Sequence, residues 1–344
     1  MHMIIPLEKP TLRRKDMSAV LQTMVDEQIG PGVYTNTFIE LLQTISGISG
    51  YALALRDHVH ALRIALASLD LPLGSKIGIS ALSPVMYSWV ITSLGYEVQI
   101  FDIDPETANL SYADLEKASH AISALVLYEP YGNIPDYEVW SICSIPIIED
   151  ITESFGSASE NQKAGTLGTI VICAFEGTGL VSTAGGAAIM TGDDDVAEKM
   201  ASLVEVELPY TTLPDMNAAL GVVQLNQIEK NIQKRKAIFD RYRLSLMKGK
   251  HSLFGIKDID YGNNGYGFVA VLDAKPALVQ QFCLRNEVST AFAFPHTVIH
   301  HTLESFDEYP NAIPCVTRGI RFPLYPFLTN QQIIQIEKII AHLP

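Results

Sequence analysis

Residues 163–190 read KAGTLGTIVICAFEGTGLVSTAGGAAIM, and two short apolar runs in this stretch give the clearest sign of the fold. Each run has the length of a strand and is almost entirely apolar, which is typical of a strand covered on both faces of its sheet. Gly185 and Gly186 stand between the runs, where glycine accepts backbone angles that other residues avoid. The stretch therefore predicts buried strands at Thr169–Phe175 and Ala187–Thr191.

Upstream residues repeat this pattern and alternate it with helical periodicity. Further strands are predicted at Lys76–Ser80, Val98–Ile103, Ala124–Tyr128 and Ile145–Ile148, with helices at His58–Leu69, Met86–Leu94 and Tyr112–Ala118 between them. Apolar strands that alternate with helices predict an α/β fold, with a mostly parallel sheet and helices on both faces. Ligands of such sheets bind beyond the carboxyl ends of the strands, so we expect the functional residues there.

The last third of the chain has a different pattern. One long helix is predicted over Asp215–Met247, followed by a strand at Gly267–Leu272 and helices at Pro276–Arg285 and Asn330–His342. This mixture is typical of a smaller α+β domain. We therefore expect a large domain over residues 1–240 and a small C-terminal domain over residues 241–344.

Composition excludes several classes of protein. The 344 residues carry a formal net charge of −14, which argues against a general nucleic-acid binder, because such proteins need a basic face. No apolar run reaches the roughly 18–20 residues that span a bilayer, and the start of the chain does not resemble a signal peptide. The four cysteines form no CxxC pair, so neither a metal site nor a disulfide framework is expected. We expect a cytoplasmic protein.

Segments spread over most of the chain share the pattern of one known family. They are IGPGVYTNTFIELL (29–42), YALALRDHVHALRIALASLDLPLGSKI (51–77), FDIDPETANLSYADLEKA (101–118), ALVLYEPYGNIPDYEVW (124–140), IPIIEDITESFGS (145–157), the 163–190 stretch, DMNAALGVVQLNQIEKNIQKRKAIFDRYRLSL (215–246) and RFPLYPFLTNQQIIQIEKII (321–340). In this order and spacing they resemble the nucleotide-sugar aminotransferases, the DegT–StrS branch of the fold-type-I pyridoxal-phosphate (PLP) enzymes.

This resemblance implies both a fold and an activity. Family members use PLP to move an amino group, usually from glutamate, onto a ketone of a nucleotide-linked sugar. They have a large, mostly parallel domain and a small C-terminal domain. They form dimers in which each active site takes residues from the partner chain.

Two positions that carry the family's chemistry are changed in this sequence. The family's lysine, which forms the Schiff base with PLP, corresponds to Gly179, and no other lysine stands nearby. A glycine can neither form an aldimine nor relay a proton. The family's serine five residues earlier, a phosphate ligand, corresponds to Ala174.

The segment that resembles the family's phosphate cup is also altered. Arg56, Asp57, His58 and Val59 stand where the family has Ser-Ser-Gly-Thr, so the close-approach glycine and the threonine hydroxyl are both missing. Pro84 corresponds to the aromatic residue that stacks on the PLP ring; Tyr87 or Trp89 would replace it only after a shift of register.

One further group is retained. Asp150 matches the carboxylate that bonds the pyridine nitrogen, and Glu153 stands where the family often has glutamine or histidine. An acid after an apolar strand also commonly caps the following helix, so both interpretations of Asp150 stay open.

Three hypotheses follow from this pattern. The first is a degenerate, non-transaminating family member in amino-sugar or surface-polysaccharide biosynthesis, with PLP or PMP not covalently bound or absent. It would form a homodimer, or a heterodimer with an active paralogue. The second is an active enzyme with altered PLP or PMP chemistry, or an ordinary transaminase. The third is a cofactor-free enzyme or nucleotide-sugar-binding protein that reuses the cleft, with Arg56, His58 and His60 available to hold an anion.

Overall fold

The computed structural model describes residues 4–141, 143–159, 162–255, 262–300 and 307–344. The helices in these ranges are α1 (Arg14–Val25), α2 (Val33–Ser46), α3 (His58–Ser68), α4 (Val85–Ser93), α5 (Tyr112–Ala118), α6 (Tyr137–Trp140), α7 (Asp194–Val204), α8 (Leu208–Thr211), α9 (Asp215–Leu225), α10 (Ile228–Leu246), α11 (Pro276–Arg285), α12 (Ala312–Arg318) and α13 (Asn330–Ala341). None of them is long and apolar enough to cross a membrane.

The strands form two sheets. They are β1 (Tyr51–Leu55), β2 (Lys76–Ser80), β3 (Glu97–Phe101), β4 (Ala124–Tyr128), β5 (Ile147–Asp150), β6 (Ile170–Ala174), β7 (Ala187–Thr191), β8 (Ser252–Leu253), β9 (Phe268–Val271), β10 (Ala291–Phe292) and β11 (Gly319–Phe322). The large sheet has the order β1-β7-β6-β5-β4-β2-β3, and the small sheet has the order β10-β11-β9-β8.

The large sheet is mostly parallel, as predicted. Strands β3, β2, β4, β5 and β6 pair in parallel, and only β7 runs against its neighbours β6 and β1. Every residue of β4, β5, β6 and β7 is buried, because these central strands are covered on both faces. Strand β1, at the edge of the sheet, was not among the predicted strands; its first three residues are only half-buried.

The prediction of one long helix over Asp215–Met247 is wrong. The structure has two helices, α9 and α10, which are separated at Asn226–Gln227. The backbone leaves the helical conformation at Gln227, whose φ and ψ are −117° and 3°, and its N–H donates to the carbonyl of Gln224, three residues earlier, at 3.0 Å. The break lets α9 pack against α1 and α2 while α10 packs against α13.

The small sheet has its own apolar cluster. Phe268 of β9 and Phe322 of β11 are buried with Tyr242, Val279 and Ile336 from the helices α10, α11 and α13. Helix α10 therefore runs from the large sheet into the core of the small one, and it passes through the expected domain boundary at residue 240.

Candidate functional site

The carboxyl ends of several strands meet at one edge of the large sheet. Strands β2, β4, β5 and β6 are parallel, and β1 points the same way because both it and β6 run against β7. Asp150 ends β5, Ala174 ends β6, and Arg56 directly follows β1. The fold therefore brings these sequence-predicted residues to the edge where ligands of such sheets bind.

Asp150 is buried at this edge and has three partners. Its side chain is 1% exposed, and its Oδ2 lies 2.8 Å from Nε2 of His58, the first residue of α3. The Tyr87 hydroxyl donates a hydrogen bond to the same Oδ2, and the backbone N–H of Thr152 donates to Oδ1 at 2.9 Å. The carboxylate is thus fixed by side chains from α3 and α4 and by its own loop.

The electrostatics favour an ion pair between His58 and Asp150. Burial by itself would raise the pKa of Asp150, but the nearby charge of His58 and the hydrogen bonds from Thr152 and Tyr87 bring this pKa below its ordinary value. Burial likewise would lower the pKa of His58, but the Asp150 carboxylate raises it above its ordinary value. Each residue therefore stabilises the charged form of the other.

The N-terminus of α3 is capped by the chain itself. The Asp57 carboxylate accepts a hydrogen bond from the backbone N–H of His60 at 2.7 Å. The Arg56 guanidinium is exposed and donates from Nε to the Thr212 carbonyl at 3.2 Å, while Val59 packs half-buried against the apolar core. The helix terminus that would bind a phosphate is therefore already bonded to a carboxylate.

The residues that correspond to the family's lysine and serine offer no side-chain chemistry. Gly179 lies in a turn after β6, where its N–H donates to the Glu176 carbonyl at 3.1 Å. Ala174 is buried, and its N–H donates to the Thr152 hydroxyl at 2.9 Å. Lys163 does not reach this edge with its amine, because its Nζ donates to the Ile45 carbonyl.

The position expected to stack on a ring is occupied by the start of a helix. Pro84 is the N-cap of α4, and a loop from the small-sheet part of the chain docks beside it. In this contact Val85 N–H donates to the His296 carbonyl at 2.9 Å, and Val298 N–H donates to the Ser83 carbonyl at 3.0 Å.

Neither aromatic alternative acts as a stacking platform in this structure. The Tyr87 ring is buried edge-on to the His58 imidazole, with 6.2 Å between the ring centroids and 86° between the planes. Trp89 is 61% exposed on α4. The sequence singled out Tyr87 as an aromatic ring, whereas in the structure its hydroxyl holds Asp150.

Glu153 lies next to Asp150, in a cluster of tyrosines. Its Oε2 accepts a hydrogen bond from the backbone N–H of Tyr131 at 2.7 Å, and burial raises its pKa to about 7. Tyr131 itself has a left-handed backbone, with a φ of 53°, at the end of the loop after β4. The charge of Arg321 pulls the pKa of Glu153 down, so this carboxyl changes its charge near neutral pH.

Tyr131 and Arg321 were missed by the sequence reasoning. The signal for Arg321 was a charged residue inside the otherwise apolar run GIRF of β11. The signal for Tyr131 was an aromatic residue between Pro130 and Gly132, directly after a buried strand. Each of these sequence patterns is common and does not by itself indicate a functional residue. The fold shows that the two residues lie near Glu153.

Known proteins resemble this sequence over nearly the whole chain. Residues 10–341 match the profile of the DegT/DnrJ/EryC1/StrS aminotransferase family. The chain is 25% identical over 360 residues to the GDP-perosamine synthase of Escherichia coli O157:H7, covering 96% of each protein. It is 26% identical over 278 residues to a putative PLP-dependent aminotransferase, EpsN, of Bacillus subtilis, covering 72% of this chain and 69% of that protein.

Solved structures share the fold. The putative sugar aminotransferase Spr1654 from Streptococcus pneumoniae, in its PMP form, superposes with a TM-score of 0.88 at 19% identity, covering 98% of this chain and 97% of that one. A GDP-4-keto-6-deoxy-D-mannose-3-dehydratase from E. coli, with bound hydrated PLP, superposes with a TM-score of 0.87 at 17% identity, covering 98% and 100%. The predicted fold-type-I architecture is therefore confirmed.

Proposed function

The chain belongs to the DegT/DnrJ/EryC1/StrS aminotransferase family, and we propose that it is a member that does not transaminate. Transamination on PLP needs an amine for the Schiff base, a cup for the phosphate and a carboxylate for the pyridine nitrogen. The observation that carries the proposal is the contact between His58 and Asp150. Asp150 is the one PLP-binding group of the family that the sequence retains, and this contact occupies it.

The residues present do not fit PLP. His58 and Tyr87 both contact Asp150 Oδ2 and so occupy its two lone pairs, while Oδ1 already accepts from the Thr152 N–H. A pyridine N–H would therefore have only the remaining lone pair of Oδ1 to bind. At α3 the Asp57 carboxylate would repel a phosphate and already holds the His60 N–H. Gly179 supplies no amine. Two sets of contacts and one missing amine thus oppose the binding of PLP.

The ligand that we propose is a nucleotide-linked sugar. GDP-perosamine synthase and a dTDP-4-dehydro-2,3,6-trideoxy-D-glucose 4-aminotransferase of Saccharopolyspora spinosa, 24% identical over 365 residues, are named for work on such sugars. The protein would then serve amino-sugar or surface-polysaccharide biosynthesis in the cytoplasm without carrying out the amino transfer. We also propose that the chain divides into a large domain over residues 1–240 and a small C-terminal domain over residues 241–344.

We also propose that the protein forms a dimer. Helix α1 exposes Met17, Leu21 and Met24 by 55%, 60% and 56%, and their spacing puts them on one side of the helix. Such an exposed apolar stripe suits a helix that packs against another copy, or against an active paralogue. Light scattering after size exclusion would show a dimer for the wild type and a monomer for the Leu21→Lys variant. A monomeric wild type would refute the homodimer.

The test of the main proposal is spectroscopic. We expect the purified protein, incubated with PLP, to show no aldimine absorbance and no PLP-labelled peptide after borohydride reduction. The matched control is Gly179→Lys, which supplies the amine. A Cβ at Gly179 would lie 3.1 Å from the Val181 carbonyl oxygen, so this lysine fits after a small shift.

The control separates two explanations. If Gly179→Lys also forms no aldimine, the occupied carboxylate and helix terminus account for the loss of the cofactor. If Gly179→Lys forms the aldimine readily, only the amine is missing and the argument from Asp150 and Asp57 is wrong. An aldimine in the wild type would refute the proposal outright.

A cofactor-free acid–base enzyme is the second candidate, and the His58–Asp150 pair favours it. A histidine held by a buried carboxylate is a common arrangement for moving a proton. Thermal-shift measurements against a panel of nucleotide sugars would find a ligand. If the wild type exchanges that ligand's sugar protons with D₂O and His58→Gln does not, the result supports this candidate. Binding without exchange would show that the protein binds the sugar but does not move its protons.

A further inference from the structure

A cavity of about 30 Å³ lies where the N-terminal segment crosses the small sheet. Its lining includes Arg235, Arg321, Tyr266, Thr178 and Glu8. The charge of Arg321 acts on Glu153, but neither that interaction nor the proposed loss of PLP chemistry accounts for a second buried guanidinium, that of Arg235, at this place.

Arg235 is the more buried of the two arginines. Its residue is 3% exposed, and its Nη1 donates to the Tyr266 and Leu324 carbonyls at 3.1 and 3.0 Å. Its Nε is buried without a hydrogen-bond partner, and within the described ranges no carboxylate forms an ion pair with it. A buried cation without a counter-ion is costly, so the site favours an added anion.

Arg321 faces the same cavity from β11. Its Nη2 is paired with the Glu8 carboxylate, and its Nε is buried without a hydrogen-bond partner in the part of the chain that the structure describes. The lining thus holds three basic side chains, Arg235, Arg321 and Lys9, against the one carboxylate of Glu8. Glu153 also acts on Arg321, from outside the lining, and the whole chain carries a net charge of −14. The local charge is opposite in sign to the global one.

Glu8 is placed over the cavity by a segment that is anchored on both sides. Ile5 exchanges backbone hydrogen bonds with Glu287 and Ser289 at 2.8 and 3.0 Å, and Arg13 donates to the Asn231 side chain at 2.6 Å. The Glu8 side chain itself is 39% exposed. It can therefore rotate into water while its backbone stays in place.

We propose that this cavity is a binding site for the carboxylate or phosphate group of a small ligand, and that Glu8 occupies the Arg321 end until the ligand displaces it. As it stands, the cavity has room for about one or two water molecules. An oxyanion fits only when the Glu8 carboxylate has swung out, and it then takes over the contact with Arg321 and approaches the free Nε of Arg235. The Thr178 hydroxyl adds a donor at the mouth.

Calorimetric titration of the full chain with inorganic phosphate, and separately with succinate, tests the site. The buffer contains chloride as its only small anion. We expect Glu8→Gln to bind one or both probes about tenfold more tightly than the wild type, because a charged competitor for Arg321 is gone. The matched control is Glu97→Gln, which removes an exposed carboxylate from the far edge strand β3 and should bind like the wild type.

Arg321→Met, made in the Glu8→Gln background, should lose the binding, and Arg321→Lys should keep part of it if the methionine variant does not fold. Binding of phosphate alone, of succinate alone or of both supports the site and identifies the ligand group. No binding by folded Glu8→Gln, or binding that survives Arg321→Met, overturns the proposal. Neither result depends on whether PLP binds near Asp150.

Discussion

His58 Nε2 lies 2.8 Å from Asp150 Oδ2, so the first residue of α3 pairs with the carboxylate that ends β5. In the family that this chain belongs to, the resemblance assigns that carboxylate to the pyridine nitrogen of PLP. Here the same charge is balanced within the protein. Under the proposed function, this contact gives Asp150 a structural role in place of the cofactor-binding role that the resemblance implies.

Removing the imidazole should destabilise the fold. We expect His58→Gln to lower the free energy of unfolding by about 3 kcal/mol, because Asp150 stays buried without its cation; Tyr87 and Thr152 remain as partners and limit the loss. Urea unfolding at pH 6 measures it. The control is His60→Gln, whose Nε2 lies 3.2 Å from a half-exposed Glu207, and its effect should stay within about 1 kcal/mol. Equal effects for both variants would contradict a special role for His58.

The difference between wild type and His58→Gln should depend on pH. The pKa of folded His58 is raised, so its contribution is fully present below its ordinary pKa of about 6.5 and is lost as the pH rises through the folded value. The pKa of folded Asp150 is lowered, so its contribution is present above its ordinary value of about 3.9 and is lost as the pH falls. Unfolding measured from pH 4 to 9 should show the difference largest between these limits. A constant difference across that range would mean that charge is not involved.

At neutral pH the ionised Glu153 carboxylate should lower the stability of the fold, whereas the pairing of His58 with Asp150 raises it. The folded pKa of Glu153 is about 7, above its ordinary 4.5, so its contribution is complete below about pH 4.5 and is lost as the pH rises through 7. Glu153→Gln should therefore gain stability relative to the wild type between pH 5 and pH 8. Thermal melts at both pH values, with the exposed Glu97→Gln as the control for removing one charge, measure this gain. A Glu153→Gln variant that loses stability at pH 8 would refute it.

Asp57 has a matched counterpart elsewhere in the chain. Asp57 caps α3 by accepting from His60 N–H at 2.7 Å, and Asp193 caps α7 by accepting from Val196 N–H at 3.0 Å. If Asp57 is now only a cap, both Asp57→Ala and Asp193→Ala should cost about 1 kcal/mol in unfolding free energy. A stabilising Asp57→Ala would instead indicate that the residue is retained at a cost for binding a ligand.

The sequence predicted much of the fold because its central strands are apolar on both faces and its motifs keep their spacing. It also predicted a strand next to Asp150, although β5 begins and ends two residues later than the predicted Ile145–Ile148 and so includes Asp150, and it predicted Gly179 in a turn after β6. It could not predict that His58 turns toward Asp150, since that contact joins two elements distant in sequence. The break at Asn226–Gln227 was missed because the apolar periodicity continues across it, whereas the backbone changes conformation at the single residue Gln227.

The contact between Glu8 and Arg321 was out of reach for a related reason. The two residues belong to opposite ends of the chain, and each reads as a surface charge next to a proline-containing segment. Only the crossing of the N-terminal segment over β11 brings them together. Sequence patterns describe a residue's own element, and sites between elements depend on packing.

Calorimetric titration of the wild type with PMP is the most direct test of the central claim. PMP needs no lysine, so it reports only on the carboxylate of Asp150 and the N-terminus of α3. With His58 and Tyr87 on the carboxylate and Asp57 on the helix terminus, we predict no binding at micromolar concentrations. A micromolar dissociation constant, abolished by Asp150→Asn, would show that the site still takes the cofactor and would contradict the account.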